Sequence, residues 1–365
     1  MRKKVIYIKK FSYKIKWSKI INSIINVSLL TGSIKVLIMI IYTIFGIGEI
    51  IINFLGLDKE SGFYYLIDKI YNNGLGIKYM WILLIIDIVI IISMVIWLLT
   101  TYAKKKLLII QHSSLQRMNF SYGMEINDFA VKTIRMNQYD ILNDENKTLK
   151  IKIYLLIQDV EENLSTILDL VENKGYQVGY SGIANIPATF MLGYELGDEN
   201  KKIFFHKFRN TSCDDDFHIL KNEERQLSFK CTKEVVNNID KKGKILLLIQ
   251  LTQPIGDEDI NSVLEENDYI IKYEIPSTIN YDVVDSSHQI NTYTDIILAK
   301  IAEIQKNPNI TQIKLCVAAS SSFIFALGTK FSKTQNKETI IFHYENKKYP
   351  WGINVTKRKP VIIKN

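Results

Sequence analysis

Several residue patterns that mark common enzyme classes are missing from this chain of 365 residues. It contains neither a GxxxxGK[ST] phosphate loop nor a GxGxxG dinucleotide fingerprint, which argues against ATP-driven and dinucleotide-dependent chemistry. Its five histidines lack metal-ligand spacing such as HExxH, so we expect no metal, no cofactor and no catalytic residues. Its three cysteines lack CxxC spacing, which favours reduced cytosolic thiols over a secreted disulfide framework. The sequence therefore predicts a protein that is not an enzyme.

An excess of positive charge is also absent from most of the chain, although the formal net charge is +8. Residues 1–106 hold about 15 Lys and Arg against 5 acids, which leaves 31 basic and 33 acidic residues in 107–365. A surface that coats a nucleic-acid polymer needs many phosphate contacts, so such a partner is not expected. A small phosphorylated ligand held by a few groups remains compatible with this balance.

Two long apolar runs, residues 36–57 and 79–103, each contain a single acid, Glu49 and Asp87 respectively. A bilayer crossing needs about 20 apolar residues, so we predict a two-helix transmembrane effector module over 36–103. A buried helical hairpin in a soluble protein is the alternative. Basic residues precede the first run and follow the second, which predicts a bacterial inner-membrane protein with both termini in the cytoplasm.

The acids within these runs and the basic segment before them have more than one interpretation. Glu49 and Asp87 fall at similar depth, which predicts a polar seam between subunits or a pore lining. Alternatively, Glu49 reaches outward and Asp87 is neutral. Residues 1–35 are predicted to be a basic cytosolic or interfacial segment. Within it, 11–30 fits either an amphipathic helix on the membrane or a helix packed on the soluble domain.

From residue 107 onward, segments with strand and helix patterns alternate. This alternation predicts a mainly parallel sheet with helices on both faces. Ligands of such sheets bind at the carboxyl ends of the strands. The predicted strands are 107–111, 150–158, 177–181, 202–209, 245–251, 269–274, 313–317 and 339–344, and the predicted helices are 159–173, 187–196, 257–266, 287–305 and 322–331.

A strand, a small-residue turn and an apolar helix occur twice, in 180–193 and 315–328. At an offset of 135 residues, Ala184 matches Ala319, Phe190 matches Phe325, and Gly193 matches Gly328. Each copy is followed by a Phe-His pair on a predicted strand, ending at His206 and His343. This repetition indicates a duplicated domain over 104–365, with halves at about 107–235 and 240–355.

The two turns, 181–185 (the first turn) and 318–322 (the second turn), are the predicted ligand site. Their small side chains would let a ligand approach the backbone, and helix N-terminal N–H groups suit anions. Ordinary helix capping is the alternative for Asn185 and Ser320, and packing in the core is the alternative for Trp351. The halves also differ, because Pro187 in the first turn corresponds to Ser322 in the second, which predicts one asymmetric site. The predicted ligand-binding residues are Ser113, Ser114, Ser181, Gly182, Ile183, Ala184, Asn185, Ala319, Ser320, Ser321 and Ser322, with Lys330 to neutralise phosphate and Tyr349 and Trp351 to stack on bases.

The second copy and the residues after it resemble the C-terminal half of SAVED domains. The resemblance is carried by 313–328, by 340–344 and by the pair Tyr349 and Pro350. SAVED domains look like fusions of two CARF-like (CRISPR-associated Rossmann) units, which fits the internal repetition. The resemblance covers about residues 107–355. The expected fold is thus a membrane-anchored α/β protein, with an N-terminal two-helix transmembrane hairpin and a cytosolic duplicated Rossmann-like domain.

The resemblance implies a receptor for a cyclic di- or trinucleotide in anti-phage defence of the CBASS type. A nucleotidyltransferase would make the messenger, the sensors would form a homo-oligomer, and the two spans would permeabilise the inner membrane. Two other functions stay open. One is a membrane-anchored sensor or scaffold that recruits a partner without a lesion, and the other is a membrane-bound cyclic-nucleotide phosphodiesterase. Whether the ligand activates or restrains the effector is also open.

Overall fold

The computed structural model describes residues 32, 77–102, 104–208, 216–225, 228–235, 241–276 and 281–363. The chain divides into two compact units, Met1–Ala103 and Lys104–Asn365. The α-helices are α1 (Ile77–Tyr102), α2 (Tyr139–Leu142), α3 (Leu149–Leu168), α4 (Ile186–Leu196), α5 (Ser287–Ile304) and α6 (Ser321–Lys330), and the described residues also include a 3-10 helix (Met124–Asp128) and a π-helix (Asp169–Asn173). The strands are β1 (Lys105–Ser113), β2 (Phe129–Asn137), β3 (Gln177–Ile183), β4 (Ile203–His206), β5 (His218–Ile219), β6 (Lys230–Val235), β7 (Gly243–Gln250), β8 (Tyr269–Glu274), β9 (Ile310–Ala318), β10 (Glu338–Glu345), β11 (Lys348–Asn354) and β12 (Lys359–Ile362).

The predictions of a transmembrane hairpin and of an inner-membrane location are wrong. No helix in the described part of the chain has the length and apolar character that a membrane crossing requires. The first predicted span and Glu49 lie outside the described residues, and the second span coincides with α1. The prediction rested on the number of apolar residues in the sequence alone. Helix α1 also contains the acid predicted within that span.

That acid, Asp87, is buried at 7% exposure in the N-terminal unit. Burial raises the pKa of its carboxyl group above the usual range, because desolvation disfavours the charged form. The predicted polar seam or pore lining requires the membrane location that the structure contradicts.

The second unit has two separate sheets, as a duplicated α/β domain should. The first has the order β2-β1-β3-β4-β5, and the second has the order β12-β11-β10-β9-β7-β8-β6. The pairs within β2-β1-β3-β4 and within β10-β9-β7-β8 are parallel, whereas the outer strands β5, β6, β11 and β12 pair antiparallel. Strands β1, β7 and β9 are largely apolar because both of their faces are covered, whereas β2, at the edge of the first sheet, is mostly exposed.

Helices α4 and α6 join the two halves. They pack against each other, and each also contacts the sheet of the opposite half. Tyr180 of β3 stacks on Phe325 of α6 with ring centroids 4.4 Å apart and planes 9° apart. Both rings are fully buried, so the main apolar core is continuous between the halves.

The repeated Leu-Gly pair marks the point where these two helices cross. A Cβ atom at Gly193 would collide with the backbone oxygen of Phe325, and one at Gly328 would collide with the backbone oxygen of Phe190. The contact is therefore reciprocal, with the matched residues of each copy facing those of the other. This part of the repetition is explained by close helix packing.

Two predicted elements differ from the structure. Residues 150–158 belong to helix α3, because the side chains buried there recur at Ile153, Leu156, Ile157 and Val160, which is helical spacing. The alternating Lys and Ile at its start had suggested a strand, but Ile151 is exposed. Residues 257–266 form successive turns. There the carboxylate of Asp259 accepts from the Gly256 N–H at 2.8 Å, and such local bonds compete with a helix.

Candidate functional site

A cavity of ≈ 500 Å³ opens where the carboxyl ends of the parallel strands from both sheets converge. Strands β3, β4, β9 and β10 each contribute their last residues, and the segment after β7 adds Thr252 and Gln253. This is the position at which ligands of parallel α/β sheets bind. Its volume also lies in the usual range for small-molecule sites, about 300–1,000 Å³.

The predicted turns form two of the cavity walls. Seven of the residues predicted from sequence line the cavity: Gly182, Ile183, Ala184, Ala319, Ser320, Ser321 and Ser322. The backbone at Gly182 is also held close to the neighbouring strand, since a Cβ atom there would meet the backbone oxygen of His112. The need for glycine at this position therefore comes from strand packing.

The first turn satisfies most of its own hydrogen-bond donors. The Asn185 side chain caps α4 by accepting from the Ala188 N–H at 2.9 Å. The Asn185 backbone N–H and side-chain amide both donate to Ser114 Oγ, at 2.6 and 2.9 Å. Pro187 has no N–H to offer. Only the N–H of Ile186 is left over in the first turn of this helix.

The second turn is connected differently. Ser320 caps α6 by accepting from the Phe323 N–H at 3.4 Å, which is a long bond. The Ser322 hydroxyl donates to the backbone oxygen of Phe205, in the opposite half, at 2.6 Å. The N–H groups of Ser321 and Ser322 have no partner within the helix, because the first N–H groups of any α-helix lack one. This turn can therefore offer more donors to an anion than the first turn.

The charge lining the cavity is close to balanced. Lys207 is the cation, and Asp282 and Glu345 are the acids. His206 Nε2 lies 3.1 Å from Asp282 Oδ1, which connects the end of β4 to the segment before α5. With so few cations in the lining, an anionic ligand must rely mainly on N–H and hydroxyl donors.

His343 adds a neutral polar group to the lining. Burial lowers its pKa to about 4, so the ring is uncharged near neutral pH. It contacts Trp351, with ring centroids 4.7 Å apart. Its buried Nδ1 has no hydrogen-bond partner among the described residues. An unsatisfied buried polar atom is costly, and a bound ligand can satisfy it.

A chain of buried polar groups supports the first turn from behind. His112 is fully buried, which lowers its pKa to about 4. Its Nε2 lies 3.0 Å from Gln138 Oε1, and its Nδ1 lies 3.3 Å from the Tyr180 hydroxyl. Gln138 in turn donates to Asp159 of α3 at 2.8 Å. Since Gln138 Oε1 only accepts, Nε2 carries the ring proton.

Four predicted residues lie behind the cavity lining. Ser113, Ser114, Ser181 and Asn185 are all buried, and none contributes to the lining. Ser114 and Asn185 bond to each other, so both set the conformation of the turn. Contact between these residues and a ligand stays a prediction.

Three more predicted residues lie elsewhere. Tyr349 is fully buried in a separate apolar cluster, and Trp351 is buried in the main core. Lys330 borders a different cavity and forms an ion pair with Asp295 at 3.3 Å. Trp351 is therefore packed in the core, as the alternative interpretation proposed, and Tyr349 is packed in the same way.

Other lining residues were not predicted from sequence. The strand-end pattern that located the turns also contains a signal for Phe205, His206 and His343, because one Phe-His pair ends its strand and the other lies two residues before the end of its strand. Tyr281 and Asp282 come from a segment without any repeated pattern. The remaining members are Leu115, Ile186, Lys207, Phe217, Thr252, Gln253, Val317, Ala318, Ile324, Tyr344 and Glu345. Among the described residues, no group of His, Cys, Asp and Glu side chains could hold a metal ion.

Comparison with known proteins identifies the sensor unit. Residues 160–355 match the SAVED family model, described as "SMODS-associated and fused to various effectors sensor domain". This match confirms the resemblance seen in the sequence. Among curated proteins, none matches the chain.

Solved structures of Cap4 receptors have a similar arrangement. The Acinetobacter baumannii Cap4 SAVED/CARF-domain receptor with the cyclic trinucleotide 2'3'3'-cAAA shares 15% identity over 72% of this chain and 54% of that chain, at a TM-score of 0.48. The same receptor with 3'3'3'-cAAA shares 16% identity over 64% and 50%, at 0.45. The Moraxella osloensis Cap4 receptor shares 14% identity over 67% and 49%, at 0.43. The chain thus spans about half the length of these structures.

Proposed function

Because the chain belongs to the SAVED family of sensor domains, we propose that it is a receptor for a cyclic oligonucleotide messenger of two or three nucleotides. The cavity between the two turns is the proposed site. The observation that carries the proposal is the convergence of strand ends from both sheets on one cavity of ≈ 500 Å³. A ring-shaped ligand can contact both halves there at once.

The donors of the cavity suit such a ligand. The N–H groups of Ser321 and Ser322 at the start of α6 would bind a phosphate, because a helix N-terminus favours negative charge. The Asp282 and Glu345 carboxylates can accept hydrogen bonds from the exocyclic amino groups of bases. The buried His343 Nδ1 would gain a partner from the ligand. Phosphate recognition thus falls mainly to the second turn.

The proposal extends to how the receptor is used. The messenger would be supplied by a nucleotidyltransferase in an anti-phage response, and its binding would promote assembly of several copies of this chain. Such a shift needs tighter binding to the assembled form than to the free form. The receptor would bind its messenger without cleaving it. Membrane permeabilisation is not part of the proposal, since the described residues provide no membrane-crossing helix.

A binding screen of the full chain against cyclic di- and trinucleotides tests this function. We expect saturable binding of at least one member, recovery of that ligand intact, and a larger particle by light scattering. Ser321→Tyr, which fills the cavity beside α6, should lower the affinity at least tenfold. Ser165→Tyr is the matched control, because Ser165 is exposed on α3. Binding of no member, or equal binding by the two variants, would refute the proposed site, and a cleaved ligand would favour a phosphodiesterase.

A further inference from the structure

A second cavity, of ≈ 250 Å³, lies at the far ends of two elements that also line the first. Strand β4 contributes Phe204 to this second cavity and His206 to the first. Helix α6 contributes Lys330, in its last turn, to the second cavity and Ser321, in its first turn, to the first. The two cavities are therefore separate and share structural elements.

The lining of the second cavity is polar and predominantly basic. Lys201, Lys202 and Lys330 contribute ammonium groups, against the single carboxylate of Asp198. The side-chain amides of Asn200, Asn222 and Asn291 add donors and acceptors. An anion is the ligand that this combination of charges and amides complements.

Lys202 is the most informative member of this lining. It is half-buried, and its Nζ donates to the backbone oxygen of Asn200 at 2.8 Å. Within the described part of the chain, it takes part in no ion pair. Burial lowers the pKa of Lys202 despite the nearby carboxylates of Asp198 and Glu199. An ammonium group that has lost water while its nearest carboxylates stay beyond ion-pair distance is unfavourable, and a bound anion would relieve that cost.

Lys330 provides a contrast within the same lining. It already has a counterion, because Asp295 lies 3.3 Å away. Such partly exposed pairs contribute little free energy, so Lys330 can turn toward a stronger anion. Among the described residues Lys202 forms no such ion pair, although the carboxylates of Asp198 and Glu199 lie near it.

We propose that this second cavity binds a small phosphate-bearing anion, with Lys202 as its principal counterion and Lys201 and Lys330 as supporting cations. The site is distinct from the messenger site and does not depend on the messenger proposal. Its chemistry suits inorganic phosphate, pyrophosphate or a phosphomonoester. Lysine ammonium groups act as point charges toward compact phosphate anions of this kind.

Titration of the full chain with inorganic pyrophosphate tests the inference. We expect saturable binding that weakens as sodium chloride is added, because salt screens the partly exposed cations. Lys202→Met keeps most of the side-chain volume and should lower the affinity at least tenfold. Lys233→Met is the matched control, since Lys233 is also half-buried but pairs with Asp257 at 2.9 Å. The thermal midpoint of Lys202→Met without ligand should equal or exceed that of the parent chain, which separates lost binding from lost folding.

Three outcomes would overturn the inference. The first is an equal loss of affinity in Lys202→Met and Lys233→Met. The second is a response to pyrophosphate that sodium chloride of matched ionic strength reproduces. The third is loss of pyrophosphate binding in Ser321→Tyr, which would place the anion in the messenger cavity. Failure to bind any cyclic oligonucleotide would leave the pyrophosphate result unaffected, so the two proposals fail separately.

Discussion

The two turns that line the messenger cavity occupy matching places in their halves but use their donors differently. In the first turn, Asn185 bonds through its backbone and side chain, and Pro187 removes one N–H. In the second, the cap bond of Ser320 is long, and Ser322 bonds across to the opposite half. The first turn is thus built into its own half, whereas the second joins the halves and keeps more donors for a ligand. The two halves of the duplicated fold therefore contribute unequally to one cavity.

Beyond the turns, the matched positions Glu195 and Lys330 show the same divergence. Glu195 is buried and accepts two bonds from Arg358, both at 2.9 Å, and one from Lys333 at 2.8 Å. Lys330 lies at a cavity with one partly exposed counterion. The end of α4 therefore anchors the hairpin formed by β11 and β12. The end of α6 instead places a cation at the border of the second cavity.

Substitutions at the helix crossing test where the two halves remain equivalent. Gly193→Val and Gly328→Val should each destabilise the fold by about 3 kcal/mol or more, because each added side chain collides with a backbone oxygen. Denaturant unfolding measures the effect. The double variant should cost less than the sum, since the first substitution already separates the helices. Strict additivity, or a large difference between the two single variants, would contradict a reciprocal crossing.

Acid titration compares the two buried histidines, His112 behind the first turn and His343 beside the second. Both pKa values are lowered to about 4, below the usual value of about 6.5. The unfolded chain therefore takes up protons first as the pH falls. Stability should be full above about pH 6.5 and should decline toward pH 4, by about 3 kcal/mol for each group. Thermal midpoints across this range measure the decline.

A bound ligand and a substitution distinguish the contributions of His112 and His343 to the pH dependence of stability. A messenger that bonds His343 while its ring is neutral should steepen the loss of stability with acid, whereas His112 should be insensitive to the ligand. His112→Gln should remove part of the pH dependence of the free protein. A thermal midpoint that stays flat between pH 6.5 and 4 would contradict the buried neutral state of both rings.

Removal of the two caps should give the smallest effect. Asn185→Ala should destabilise by about 2 kcal/mol, because it loses the helix cap and removes the side-chain donor to Ser114, which keeps only the backbone N–H of residue 185. Ser320→Ala should cost about 1 kcal/mol or less, since its cap bond is long. Chemical denaturation measures both. Equal losses would show that the two turns are supported equally.

Features that depend on residues close together in the chain were predicted better than features that depend on distant ones. Apart from β2, the parallel strands were predicted, as were the helices at 186–196, 287–304 and 321–330, because their periodicity and caps are local. The strand predicted at 150–158 failed because a short Lys-Ile alternation outweighed the longer helical spacing through Val160. The predicted membrane spans were wrong, since they rested on apolar composition alone and no helix of the described residues can cross a membrane.

The sequence by itself determined the alternation of strands and helices, the duplication and the place of the two turns. These features depend on residues close together in the chain, whose side-chain size and polarity act locally. Only the tertiary structure decided that Gly193 and Gly328 pack two helices together, that Trp351 is core, and that Asp282 reaches the cavity. Those roles arise from contacts between elements distant in sequence, and no local pattern specifies which backbone another element will meet.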